Sequence, residues 1–217
     1  MTALAFHTAE DVQRAADDVA AHLGRGGLLA YPTETVYGLG SRPVAEDVAA
    51  LAALKGRSEE KPFLLLVSSR RMADAYGLHF TQAADALAAA CWPGPLTLVL
   101  TGGDGHLPDA LRGPEGGIAV RWTSHPQAAA LIERLGYPLT STSANRAGGT
   151  TAPGTLAIAS AFGAAIADGH LLVLDGGTLG NVPPSTVVDC TRGVPRLVRA
   201  GAIPVQELRR RVGGAAP

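Results

Sequence analysis

Apolar and polar residues follow helical or strand periodicity along most of the chain. The first helix is predicted to begin at Thr8 and Asp11, a capping pair. Apolar residues then recur at helical spacing from Val12 to Leu23, before glycines at 24–27 end the helix. Further helices are predicted at 44–54, 82–91, 126–136, 155–162 and 204–212. Short apolar strands are predicted at 28–31, 63–67, 96–100, 118–122, 139–142, 171–174, 186–190 and 196–198.

Helices and strands alternate without a linker or a repeat between them. This order predicts one α/β domain over residues 1–212, built on a twisted sheet flanked by helices, with a tail at 213–217. The last strands have no long helix between them. We therefore expect the sheet to mix parallel and antiparallel pairs.

Composition narrows the class of protein. Hydrophobic residues make up 47% of the chain and charged residues only 17%, so a substantial core is expected. The net charge of -1 disfavours nucleic-acid binding through bulk charge and would confine any RNA contact to a local patch. Cys91 and Cys190 belong to no metal-binding pattern and are expected to be buried thiols. Without a signal peptide or a long apolar run, a soluble, cytoplasmic protein with no membrane contact is expected.

Three hydroxyl or carboxylate residues follow the first predicted strand, in the segment Tyr31–Gly40. Thr33 and Thr35 can both donate and accept hydrogen bonds, which suits a small polar ligand beyond the end of a strand. Gly38 and Gly40 would allow close approach of the backbone. A turn with a helix cap is the alternative, and spacing alone does not separate the two.

A basic segment, Lys55–Phe63, contains the only lysines of the chain, at 55 and 61, together with Arg57. The other cations are arginines, so two lysines in seven residues are unusual. Ammonium groups and a guanidinium together can hold a polyphosphate. The alternative is a solvated charged loop in which Glu59 and Glu60 pair with the lysines.

Two later segments are rich in groups that bind anions. In Pro138–Gly154, a strand enters a loop of hydroxyls and glycines, and Ser141, Ser143 and Asn145 alternate so that they could face one side. The alternative is a Ser/Thr-rich turn. In Pro183–Gly201, Ser185 begins a strand that is followed by several arginines.

The spacing of two arginines predicts which way their side chains point. Arg196 and Arg199 are three residues apart and would face opposite ways on a regular strand, one towards a site and one towards solvent. Arg121 is a single charge in an apolar strand and requires an anionic partner. That partner could be a ligand or a carboxylate at the edge of the core.

Several enzyme classes are excluded by missing motifs. The sequence has no GxxxxGK[ST] loop, no HExxH, no histidine and cysteine cluster for zinc, and no GxSxG elbow. No protein-bound metal site is therefore predicted.

Six motifs in order resemble the YrdC-like family of threonylcarbamoyl-AMP synthases. They are YPTETVYGLG, KGR…KP, WPGPLTLVL, AVRWTSHP, STSAN and PSTVVD…LVRAG, and together they span about residues 28–203. The resemblance implies the short, single-domain form of the family, with a wide concave cavity on its α/β sheet.

The resemblance also implies a reaction. Threonine and bicarbonate form a carbamate, whose oxygen attacks the α-phosphorus of ATP and releases pyrophosphate, with Mg²⁺ accompanying ATP. A separate complex then transfers the threonylcarbamoyl group to an adenosine of tRNA, and contact of this chain with tRNA is a further implication.

The same motifs assign residues to the two substrates. Lys55 and Arg57 are implied as catalytic residues, and threonine is held by Thr35, Arg121 and Ser185. The nucleotide is held by Lys55, Arg57, Lys61, Ser141, Ser143, Asn145, Thr151 and Arg199.

This sequence departs from the family pattern at three positions. Ser58 replaces a proline, Leu66 replaces a histidine near the threonine site, and Gly117 replaces a hydroxyl residue on the nucleotide side. An RNA-binding or ribosome-maturation module of the same fold is the alternative function, although the net charge of -1 counts against it. A related enzyme that carbamoylates another acceptor is a third possibility, but such domains usually sit in larger proteins.

Overall fold

A computed structural model describes residues 3–56, 62–213 and 217. The strands are β1 (Ala3–Ala5), β2 (Leu28–Tyr31), β3 (Gly38–Gly40), β4 (Leu64–Val67), β5 (Leu78–His79), β6 (Leu96–Gly102), β7 (Ile118–Trp122), β8 (Leu139–Ser143), β9 (Leu171–Asp175), β10 (Thr186–Asp189) and β11 (Arg196–Arg199). The helices are α1 (Ala9–Gly24), α2 (Ala45–Lys55), α3 (Arg70–Ala75), α4 (Gln82–Cys91), α5 (Pro126–Leu135), α6 (Thr155–Ala167) and α7 (Val205–Val212).

The strands form one mixed sheet in the order β1-β9-β2-β3-β8-β4-β7-β6-β10-β11, with β5 paired to β6. The pairs β1/β9, β2/β9, β4/β7 and β6/β10 are parallel, and the other pairs are antiparallel. The prediction of an α/β fold with a mixed sheet flanked by helices is therefore confirmed.

Every predicted helix and strand is present, with ends shifted by a few residues. The first helix begins as predicted, because the Thr8 hydroxyl accepts from the Asp11 amide while the Asp11 carboxylate accepts from the Thr8 amide. Sequence reasoning missed β1, β3, β5 and α3. These elements are short, and β3 is a Gly-Leu-Gly segment whose strand conformation comes from pairing with β2 on one side and β8 on the other.

Strand alternation gives the two faces of the sheet different roles. In β6 and β7, leucine, isoleucine and valine at every second position pack into the larger core under α2, α3, α4, α6 and α7. On the opposite face, α1 and α5 cover one part of the sheet through a smaller core. The side chains that point away from the larger core on β6 and β7, including Thr97 and Ala119, line an open cavity together with Ser141 of β8.

Both cysteines are buried, free thiols, as expected. Burial raises the pKa of the Cys190 thiol to about 12. None of the helices in residues 3–56 and 62–213 is both long and apolar enough to cross a bilayer.

Candidate functional site

The candidate site is a cavity of about 740 Å³ on the uncovered face of the sheet. Its volume lies within the usual range for small-molecule sites. Alternate residues of β6, β7 and β10, together with residues of β4 and β8, form its floor. Its walls come from the β2–β3 loop, the loop after β8, the segment before β7, and β11.

One end of the cavity contains a buried arginine. Arg121 is 3% exposed on β7 and donates a hydrogen bond from a terminal nitrogen to the Thr35 hydroxyl at 3.3 Å. The β2–β3 loop folds back across the sheet to place Thr35 there. The Thr33 hydroxyl stabilises this fold by donating to the Val36 carbonyl at 2.7 Å.

Arg121 also faces the carboxylate of Glu34, a pairing that the sequence did not reveal. The Arg121 Nε lies 3.7 Å from Glu34 Oε1, and neither atom has a hydrogen-bond partner among the described residues. The carboxylate partner expected for Arg121 is present, and the residue also lines the cavity. A guanidinium that is buried but incompletely bonded is suited to an additional anionic partner.

The residues that follow β7 fix the orientation of the Glu34 carboxylate. The Thr123 hydroxyl donates to Glu34 Oε2 at 2.6 Å, and the His125 amide donates to the Thr123 hydroxyl at 3.2 Å. The His125 ring in turn accepts from the Ala128 amide and caps α5. Burial lowers the pKa of His125, which keeps the ring neutral and able to accept.

A second group, Thr97, Ser185 and Arg199, lies on the side of Arg121 towards β10. The hydroxyls of Thr97 and Ser185 are 2.8 Å apart, and both residues are buried. The Arg199 guanidinium donates to the Ser185 carbonyl at 2.8 and 3.2 Å. Sequence reasoning missed Thr97, although a single hydroxyl residue between leucines in a predicted strand was a usable signal.

Arg199 is open to solvent on the cavity side, yet protein atoms crowd its guanidinium. Desolvation, followed by the positive charge of Arg121, lowers the pKa of Arg199. Two neighbouring cations that repel each other favour anionic ligands between them.

Lys55 lies at the other end of the cavity, at the C-terminus of α2. Its ammonium donates to the Ser143 carbonyl, to the Ser143 hydroxyl at 3.3 Å, and to the backbone and side-chain oxygens of Asn145 at 3.0 and 2.9 Å. This side chain is 6% exposed and borders the cavity, so it both holds the loop after β8 and carries positive charge into the site.

The predicted serine and asparagine positions converge as expected. Ser141, Ser143 and Asn145 all border the cavity, and Thr151 lies further along the same loop and also borders it. The predicted residues Arg57 and Lys61 lie outside the described residues, and so do Glu59 and Glu60, their proposed partners in the alternative.

The expectation that Arg196 and Arg199 face opposite ways is wrong. The register shifts between Val187 and Val188, so that Val187 pairs with Arg199 while Val188 pairs with Leu197. Val198 is therefore an extra residue in β11, and a β-bulge of this kind reverses the alternation. Both arginines consequently border the cavity.

A charged network that sequence reasoning did not identify closes this rim. Arg196 donates to Asp189 at 3.0 Å and to Glu115 at 2.8 Å, and Arg192 donates to Glu115 at 3.1 Å. Glu115 belongs to the loop before β7, so the network ties that loop to the β10–β11 hairpin. Hydrogen bonds from Thr191, together with Arg196, lower the pKa of Asp189 despite the opposing effect of burial.

The structure describes two of the three positions at which this sequence departs from the family pattern. A Cβ at Gly117 would lie 2.6 Å from side-chain atoms of both Val99 and Thr191, so the site has no room for the expected hydroxyl residue there. Leu66 is fully buried and pairs with Arg121 in the sheet register. Ser58 lies outside the described residues.

In residues 3–56 and 62–213, no cluster of three His, Cys, Asp or Glu side chains could hold a metal ion. The acidic side chains at the cavity rim, Asp189 and Glu115, are both bonded to arginines.

The chain matches a known protein family over most of its length. The model of the Sua5/YciO/YrdC family, described as Telomere recombination, matches residues 21–201. A threonylcarbamoyl-AMP synthase of Chromohalobacter salexigens is 40% identical over 187 residues, which cover 85% of this chain and 96% of the relative.

Solved structures share the fold. Pyrococcus abyssi Sua5 complexed with L-threonine superposes with a TM-score of 0.86 at 29% identity, covering 99% of this chain and 62% of that protein. Escherichia coli YciO superposes with a TM-score of 0.82 at 26% identity, covering 95% of this chain and 98% of that protein.

Proposed function

Because the chain belongs to the Sua5/YciO/YrdC family, we propose that it is a threonylcarbamoyl-AMP synthase acting on L-threonine, bicarbonate and ATP. The observation that carries the proposal is the arrangement of cations in one open cavity. The buried, incompletely bonded Arg121 lies at one end and Lys55 with its hydroxyl- and amide-rich loop lies at the other.

Threonine is assigned to the end that contains Arg121. The guanidinium would pair with the α-carboxylate, and the hydroxyls of Thr35 and Ser185 would bond its remaining polar groups. All three residues are at least nine-tenths buried, so their positions are fixed before the ligand arrives. The amine would then face the middle of the cavity, where bicarbonate is attacked and water is lost to give the carbamate.

ATP is assigned to the end that contains Lys55. Lys55, with Arg57 and Lys61 on the neighbouring segment, would neutralise the triphosphate. Ser141, Ser143, Asn145 and Thr151 would bond the nucleotide at this end, and Arg199, which lies beside Ser185, would reach it from the threonine side. The carbamate oxygen attacks the α-phosphorus, the bond to the β-phosphate oxygen breaks, and pyrophosphate leaves. This step makes the enzyme a nucleotidyltransferase that works by positioning and charge stabilisation.

Mg²⁺ is proposed as the companion of ATP. Its ligands would be phosphate oxygens and water, with little direct help from Asp189 and Glu115 at the cavity rim, which are engaged by arginines. The product would serve threonylcarbamoyl modification of an adenosine in tRNA, through a separate transferase complex in the cytoplasm.

The test is release of pyrophosphate by the purified chain supplied with ATP, Mg²⁺, threonine and bicarbonate. We expect release only when all the substrates are present, and a mass-spectrometric signal of threonylcarbamoyl-AMP. Release that does not depend on threonine and bicarbonate together would contradict the proposal. RNA binding that weakens with salt, without any ATP turnover, would instead favour the RNA-binding alternative.

A further inference from the structure

We propose that Arg146 is a positioning residue that fixes the nucleotide loop, residues 144–152, from outside the cavity. The inference rests on the proposed function, since the loop contributes Asn145 and Thr151 to the nucleotide end of the site. Arg146 does not border the cavity. Its side chain lies in a separate groove between α2 and α6.

The side chain of Arg146 is attached to a kink in α6. Phe162 departs from helical geometry, with φ -128° and ψ 22°, in the middle of that helix. Arg146 Nε donates to the carbonyl of Ala161, the residue before the kink, at 3.0 Å. The guanidinium carbon lies 5.5 Å from the centre of the Phe162 ring, within the range of a cation–π contact.

The backbone of the same residue organises the loop. The Arg146 carbonyl accepts from the Asn145 side-chain amide at 3.0 Å and from the Gly149 amide at 2.9 Å. Gly148, with φ +76°, occupies the turn between them in a conformation that favours glycine. The next residue, Ala147, donates its amide to the Lys55 carbonyl at 3.2 Å. Arg146 is therefore linked on one side to α6 and on the other to two proposed nucleotide contacts.

Besides Arg146, this turn is held by the bond from the Ala147 amide to the Lys55 carbonyl and by a bond from the Asn145 side-chain amide to the Gly149 carbonyl at 2.6 Å. Residues 146–150 are exposed, and only Arg146 among them has a long side chain that reaches a helix. An exposed segment with two glycines loses much conformational entropy when a ligand orders it. A side chain that orders it beforehand strengthens binding by lowering that entropic cost.

The test compares Arg146→Ala with Arg71→Ala, a matched change at an exposed arginine of α3 that has no hydrogen bond to the loop among the described residues. For Arg146→Ala we expect the KM for ATP and the Kd of a non-hydrolysable ATP analogue to rise about tenfold, the size of one lost charge-assisted hydrogen bond. The KM for threonine should stay within about twofold, because Arg121 and Ser185 are not linked to the turn. Arg146→Lys, which keeps a donor for the Ala161 carbonyl, should recover part of the loss.

A second measurement does not depend on catalysis. Hydrogen–deuterium exchange of the peptide over residues 144–152 should be faster in Arg146→Ala than in the wild type, and unchanged in Arg71→Ala. Unchanged exchange, an unchanged KM for ATP, or an equal rise in both KM values would overturn the inference. If the wild type releases no pyrophosphate, the proposed function fails, while the exchange measurement still decides whether Arg146 holds the loop.

Discussion

At the scale of single residues, Lys55 is central to the proposed nucleotide end of the cavity. Its ammonium bonds four oxygen atoms of Ser143 and Asn145. We expect Lys55→Ala to lower kcat/KM for ATP by about a hundredfold, as removal of a preorganised charge-stabilising donor does in other enzymes. Pyrophosphate release measures the loss, and circular dichroism checks the fold. Near-normal turnover in a folded variant would remove Lys55 from the mechanism.

Substitution of Arg121 should weaken the binding of threonine rather than that of ATP. Arg121→Lys keeps a positive charge but loses the planar fork that matches a carboxylate. We expect the KM for threonine to rise about a hundredfold, which corresponds to about 3 kcal/mol of charge-assisted hydrogen bonding. The KM for ATP should change much less, and steady-state kinetics with each substrate varied in turn measures both. Equal effects on the two substrates would argue against the assignment of threonine to this end.

The sequence allowed most of these side chains to be predicted, but not their partners. Arg121 stood out as one charge in an apolar strand, and its need for an anion was correct. That Glu34 lies beside it could not be foreseen, because the β2–β3 loop and β7 are more than 80 residues apart in sequence and meet only in the folded sheet. The pairing of Glu115 with Arg192 and Arg196 is hidden for the same reason.

At the scale of elements, the close contact of β3 with β8 depends on glycine. A Cβ at Gly40 would lie 2.3 Å from the Thr140 carbonyl oxygen, whereas one at Gly163, on α6, would meet nothing within 4 Å. We expect Gly40→Ala to lower the free energy of unfolding by about 2 kcal/mol through overpacking. Gly163→Ala should raise it by about 0.7 kcal/mol through helix propensity. Urea denaturation measures both, and a neutral Gly40→Ala would show that the strands can separate without cost.

The N-terminus of α5 gives a pH-dependent contribution to stability. His125 caps it through an unprotonated ring nitrogen, and burial lowers its pKa. This contribution is fully present above the ordinary imidazole pKa of about 6.5 and is lost as the pH falls through the lowered pKa of the folded state. Asn is a good cap that does not titrate. We therefore expect the stability of His125→Asn to fall less than that of the wild type from pH 7 to pH 5, as measured by urea denaturation at each pH; parallel losses would contradict this role.

Elements with strong periodicity were predictable, and those made by pairing were not. The helix from Ala9 and the strand from Ile118 follow from local pattern alone. Strands β1 and β3 are three residues long and exist because neighbouring strands offer hydrogen-bonding edges. The bulge at Val198 was likewise invisible in the sequence, and it places Arg196 and Arg199 on the same side of the sheet instead of on opposite sides.

The whole molecule is organised by one sheet that extends across all the described strands. We expect residues 1–212 to unfold as one cooperative unit. The tryptophans report on one region, because Trp92 precedes β6 and Trp122 is the last residue of β7, whereas far-ultraviolet circular dichroism reports helices on both faces. Urea transitions followed by fluorescence and by circular dichroism should coincide. Two separated midpoints would show that the part of the sheet near β6 and β7 is an independent unit.

The alternation along β6, β7, β8 and β10 has a consequence for how such a protein can change over time. Leu96, Leu98 and Val120 face the larger core, while Thr97, Val99 and Ala119 face the cavity. A substitution at one of the cavity positions therefore alters what can be bound without disturbing the packing that keeps the chain folded. Substrate preference and thermal tolerance can consequently be selected separately along a single strand. A library that randomises only the cavity positions should keep most of its members folded.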